Sequence, residues 1–154
     1  MESIIASAIA VLGTLLGSGI TLAFQQRTTD RSHRFARREK LRQERLDAYS
    51  AYAGALVNYR RCLIHLWFCE HEQPPPEESD AVRIRAYDLR SAAQEALFRV
   101  QMLTDDAELH RAAEDVLDDV TMLQKAQDRV ALDELRVRTR DDIARLVSSA
   151  KQHL

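Results

Sequence analysis

Glycine and proline are nearly missing from most of this chain. The four glycines are Gly13, Gly17, Gly19 and Gly54, and the three prolines are consecutive at Pro74, Pro75 and Pro76, so the 78 residues after Pro76 contain neither. These residues punctuate turns and strands, and their absence favours helices joined by short polar connections. The same shortage excludes phosphate-cradling loops, because neither a Walker A loop nor a dinucleotide fingerprint can be written without glycines beyond residue 54. Glu-x-x-His, which helical bundles use on two helices to hold a di-iron centre, does not occur; the nearest spacing is Asp30-x-x-His33. No serine sits in a nucleophile elbow. The expectation is a protein that is not an enzyme and takes no cofactor and no small-molecule substrate.

Cysteine is equally sparse. Cys62 and Cys69 are the only two, seven residues apart in what reads as one helix. Their Cα atoms would then stand about 10 Å apart, beyond the reach of a disulfide. They read as free thiols in a reducing compartment.

Charge is missing from one stretch and concentrated in the next. Residues 1–26 carry a single charge, Glu2, whereas residues 27–45 hold eight Lys/Arg against three Asp/Glu, a net of +5. The remainder, 46–154, has a net charge of -6 within an overall -2. Ser3 to Phe24 is 22 residues without a charge, about 33 Å as a helix, enough to cross a hydrocarbon core of about 30 Å. A cleaved signal peptide is the rival reading, but only Met1-Glu2 precedes the run, Ala6-x-Ala8-x-Ala10 lies too early in it, and Leu22-Ala23-Phe24 is a poor ending for cleavage. Arg27, Arg31, Arg34, Arg37, Arg38, Lys40, Arg42 and Arg45 follow the span and no basic residue precedes it. The positive-inside rule then places the N-terminus outside and everything from Gln25 in the cytoplasm, with the basic stretch against the anionic inner leaflet. Within the span Ala6, Ala10, Gly13, Gly17 and Thr21 fall on one stripe, which suits association with another copy or another membrane protein.

Three segments are thus expected: a transmembrane anchor at 1–26, a basic helical stalk at 27–45, and a helical bundle at 46–154. The bundle's first helix carries two adjoining apolar stripes. One is Leu46, Tyr49, Ala53, Leu56, Arg60, Leu63 and Trp67; the other is Tyr52, Ala55, Tyr59, Cys62, Leu66 and Cys69. EHEQPPPEES breaks it, and Ser79 or Asp80 can cap a second helix bearing Val82, Ala86, Leu89, Ala93, Leu97, Val100 and Leu103. Thr104 with Asp105 and Asp106 offers a cap and an acidic first turn for a third, with Leu109, Ala113, Val116, Val120 and Leu123. A polar break at Gln127-Asp128 opens a fourth, with Leu132, Leu135, Thr139, Ile143, Leu146 and Ala150. The fold class expected is all-α, an N-terminal transmembrane helix continuing into a cytoplasmic antiparallel four-helix bundle. A three-helix variant stays open if the break near Gln127 is only a kink.

The stretch most like a site is CLIHLWFCEH, where Cys62, His65 and Cys69 share a helix face and carry zinc or copper ligands. No second cysteine pair accompanies them, and buried cysteine behaves as a small hydrophobe, so core packing is the reading and no metal is expected. The alternative is a membrane-tethered sensing module using that face. The adjacent carboxylates Asp105-Asp106, Asp118-Asp119 and Asp141-Asp142 diverge by about 100° on a helix and read as solvated faces. RSHRFARREKLRQER could grip nucleic acid and tether DNA to the membrane, but its place beside an apolar span favours lipid contact and orientation, and direct nucleic-acid binding is not expected.

Three blocks carry a resemblance: VLGTLLGSGITLAFQQRT, ARREKLRQERLDAYSAYAGALVNYRR and EALFRVQMLTDDAEL. The chain resembles the small KilB-type proteins of actinomycete conjugative plasmids and their chromosomal relatives. The resemblance implies membrane association and a role in mycelial plasmid transfer or spread, harmful to the host when unregulated. It supplies no catalytic residues to carry over.

Overall fold

The structure, a computed structural model, describes the backbone of residues 2–154 and the side chains from His33 onward. Four α-helices follow in order: α1 (Glu2–His71), α2 (Ser79–Leu103), α3 (Ala107–Thr121) and α4 (Arg129–Ala150). Short 3-10 turns at Met122–Lys125 and Lys151–His153 close α3 and α4. There is no strand among the described residues, so the fold is all-α. The chain divides into two compact units, Met1–Leu41 and Arg42–Leu154.

Within the second unit, cross-helix hydrogen bonds fix the direction of each element against α1. Arg45 Nε donates to the Leu103 carbonyl at the end of α2, while Cys62 Sγ donates to the Val82 carbonyl near its start, so α2 runs against α1. Tyr52 donates to Ala113 O, Tyr59 Oη lies 3.4 Å from Thr121 Oγ1, and Trp67 donates to Ala126 O, so α3 runs with it. Arg60 meets Thr139 and Arg45 reaches the His153 carbonyl, so α4 runs back again. The order is up, down, up, down. The fourth helix is separate, which removes the three-helix variant. Asp128 in extended backbone accepts from Ala131 N at 2.8 Å and starts α4 afresh.

The core forms where the spacing placed it. Tyr52, Leu56, Leu63, Val82, Leu109, Val120, Leu123 and Leu132 are almost fully buried. Each such aliphatic side chain contributes about 1.5–3 kcal/mol through removal from water. Leu46, read as the first core residue of α1, is instead partly open to solvent. Burial begins at Ala48 and Tyr49.

The caps differ in detail from expectation. Asp106 caps α3, accepting from Leu109 N at 2.7 Å. At α2, Glu78 occupies the cap position without a side-chain bond, and Ser79 is already helical. Asp80 works as an acid in the first turn, paired with Arg83 at 3.2 Å. Thr104 ends α2 instead of starting α3; it is buried, and its carbonyl lies 2.7 Å from His110 Nε2.

Candidate functional site

The Cys62, His65 and Cys69 face is built by α1 against the start of α2 and the turn between them. Both thiols are free and buried. Cys62 Sγ donates to the Val82 carbonyl at 3.7 Å. His65 Nε2 lies 3.7 Å from Cys69 Sγ and 3.1 Å from Glu77 Oε2, and Arg85 holds the other Glu77 oxygen at 2.9 Å. The three residues therefore do not converge on a common point. Among the described residues no group of three or more His, Cys, Asp or Glu is arranged to hold a metal.

Electrostatics at this face describe a structural clasp. Hydrogen bonds from Arg85 first and His65 second hold the Glu77 carboxyl below its ordinary range. Burial pushes the Cys62 thiol up, with the Arg85 charge opposing. A thiol held protonated is a poor nucleophile and a poor metal ligand. The arrangement ties the triple-proline turn back onto α1 through His65 and Glu77.

At the far side of the same turn an aromatic stack forms. Trp67 lies flat on His71 with ring centroids 4.2 Å apart, Phe68 meets Trp67 edge-on, and the Arg129 guanidinium sits 4.7 Å above the Phe68 ring. Such a stack packs the end of the bundle and fastens the start of α4 to α1.

Arg60, placed by its spacing on the apolar stripe of α1, is a half-buried polar crosslink. Its Nε donates to Thr139 Oγ1 at 2.9 Å and its Nη2 to the Arg136 carbonyl at 2.6 Å. Burial, then the neighbouring charges of Arg136 and Arg140, lower its pKa from the usual guanidinium value. Asp142 corrects the reading of Asp141-Asp142 as a solvated pair. It is buried between Arg138 and Arg145, because α4 turns it toward α3. Asp119 on α3 shares Arg138 at 2.9 Å.

The basic stalk splits. Arg34, Arg37, Arg38, Lys40 and Arg42 are exposed along α1. Arg45 is half-buried and donates to two carbonyls, Leu103 O at 2.7 Å and His153 O at 3.3 Å, where α2 and α4 finish. Those terminal carbonyls carry the negative ends of the helix dipoles, and a guanidinium suits them. The side chains of Arg27 and Arg31 lie outside those described. So do those of Ala6, Ala10, Gly13, Gly17 and Thr21. No described helix is long and apolar enough to cross a membrane, and the Ser3–Phe24 run expected to do so falls outside the residues on which that rests.

Two features were not read from the sequence. One is an apolar groove of about 310 Å³ lined by Leu46, Tyr49, Ala53, Val147, Ala150 and Leu154. The other is a row of exposed apolar side chains on the outer face of α2. The α2 row lies off the stripe that its spacing marks, and the groove lies where the α1 and α4 stripes, with Leu46, Tyr49, Ala53 and Ala150, stay partly uncovered at their ends.

Residues 46–154, the span of the bundle, match the KilB plasmid transfer protein family. The chain belongs to that family. No curated protein and no solved structure matches it. The KilB match begins at Leu46, so it takes in the four bundle segments and leaves the apolar run and the whole basic segment outside. Membership supports a role in plasmid transfer.

Proposed function

We propose that this KilB chain is a single-pass membrane protein whose cytoplasmic helical bundle acts in plasmid transfer or spread through protein–protein contact. The apolar run from Ser3 to Phe24 is the anchor, with the N-terminus outside. The eight basic residues from Arg27 to Arg45 hold the orientation and meet the anionic inner leaflet. The small-residue stripe through Gly13 and Gly17 brings anchors together, and the bundle presents surfaces to partners of the transfer apparatus. The reading assigns no reaction and no cofactor to the chain.

The observation that carries this reading is the joining, in one sequence, of a KilB bundle to an uncharged run of membrane-spanning length followed at once by arginines. The test is a mating assay with the chain lacking residues 1–26. Removing the anchor should release the bundle from the membrane fraction and lower transfer by about tenfold or more. Undiminished transfer by a released bundle would refute the membrane-bound mode of action.

A further inference from the structure

Helix α2 has a second apolar face that the bundle leaves open. Val82, Ala86, Ala93, Leu97 and Val100 are buried, while Ile84, Tyr87, Phe98 and Met102 are 64%, 65%, 54% and 78% exposed. At 100° per residue these four fall within a sector of about 60°, opposite the buried face, and the row runs about 27 Å along the helix. Four large apolar side chains in one solvent-facing row are a contact surface, unlike apolar residues scattered singly.

The charges beside the row identify what fits it. Written as a heptad, Ile84, Ser91 and Phe98 take position a, and Tyr87, Gln94 and Gln101 take position d. The flank at g then carries Arg83 and Arg90, and the flank at e carries Asp88 and Glu95. Each flank has one sign, and the two signs are opposite. When two such helices pair in parallel, g of one chain faces e of the other, so Arg90 meets Glu95 and Arg83 meets Asp88. Antiparallel pairing sets g against g and e against e, which brings like charges together. Arg83 is already engaged by Glu70 at 2.7 Å and Asp80 at 3.2 Å. Asp88, Arg90 and Glu95 are exposed and make no ion pair among the described residues, so they are the uncommitted pair-formers.

We propose that the outer face of α2 is a self-association surface, on which a second copy of this chain docks by parallel pairing of its own α2. Ile84, Tyr87, Phe98 and Met102 supply the apolar seam, and Arg90 and Glu95 bridge it twice by symmetry. Three of the six a and d positions are polar, which makes the dimer reversible. Parallel pairing also puts both chains' points of entry, at Arg42, at one end of the dimer. Two copies anchored in one membrane require that; this clause alone rests on the anchored reading, and the surface itself does not.

Full-length chain in its membranes, carrying Ile84→Cys or Phe98→Cys singly, tests the pairing under mild oxidation. The parent chain serves as control, its two native thiols being buried. Each single variant should give a linked dimer, since parallel pairing sets each position against itself. Dimer appearing only when the two variants are mixed would mean antiparallel pairing and overturn the proposal, as would no crosslink at all. Arg90→Glu and Glu95→Arg should each lower the crosslinked yield at Phe98→Cys by about tenfold, and the combined exchange should restore it. Failure of the exchange to restore would equally overturn it. Dimer loss on Gly13→Ile/Gly17→Ile with indifference to every α2 variant would place the contact in the anchor, sinking this proposal and leaving the proposed function standing. Release by carbonate with crosslinking retained would do the reverse.

Discussion

Tyr52, Arg60, Trp67 and Arg45 do the joining in this bundle, each sending a donor from α1 into another element. Tyr52 is buried and donates to the Ala113 carbonyl at 2.7 Å; desolvation, with the charges of Asp118 and Glu114 adding to it, pushes its phenol far above the usual value. Tyr52→Phe should therefore lower stability by about 1 kcal/mol in urea titration, through loss of that buried hydrogen bond, and it should leave helix content unchanged. Cys62 and Cys69 are buried, and the Cys62 thiol is held protonated. Neither should react with a maleimide in the folded protein near neutral pH, and both should react after unfolding; prompt native labelling would contradict the packing role. Glu77 and Asp106 titrate below their ordinary values of 4.5 and 3.8, Glu77 through Arg85 and Asp106 through the Leu109 amide. A lowered folded pKa stabilises above the unfolded value and is lost as pH falls through the folded one. Thermal stability should thus be flat between about pH 5 and 7 and decline below about pH 4. The alanine variants at these two positions should lose part of that decline.

At the scale of helices, most of the architecture was legible in the sequence. The triple proline, Asp106 and Asp128 sit at element boundaries, and period-3.6 apolar stripes mark α1, α2, α3 and α4. Two kinds of residue escaped. Asp142 looked solvated because a carboxylate on a helix usually faces water, yet it sits beside Ile143 on the buried side of α4, and here two arginines neutralise it. The outer row of α2 escaped because a helix with one full apolar face gives no reason to look for another. Arg45 likewise read as stalk, since nothing local shows that the ends of α2 and α4 gather beside it. Two substitutions test the element account. Asp128→Ala removes the side-chain cap of α4 and should cost about 1 kcal/mol, measured by denaturant midpoint. Gly54 is exposed in mid-helix, and a Cβ built there meets nothing within 4 Å. Gly54→Ala should raise stability by about 0.5–1 kcal/mol, as expected for removing backbone freedom from the unfolded chain.

For the whole molecule, a small all-α bundle of the KilB family joins an uncharged run and a band of arginines at its N-terminal side. The described side chains bring together clasps, caps and crosslinks, and the chemistry they support is packing and contact. What the bundle offers outward is a charged surface interrupted by the α2 row and the groove near Leu46. That division fits the reading of an anchored contact protein, in which the interior serves stability and the exterior serves partners. The central claim is that the bundle is held on the cytoplasmic face of the membrane. It is tested most directly by a C-terminal tag on the full-length protein, in carbonate-washed membrane vesicles of both orientations treated with protease. The account predicts that the tag stays with the membrane and is digested only in inside-out vesicles. A tag shed by carbonate, or digested from the outer face, would contradict it.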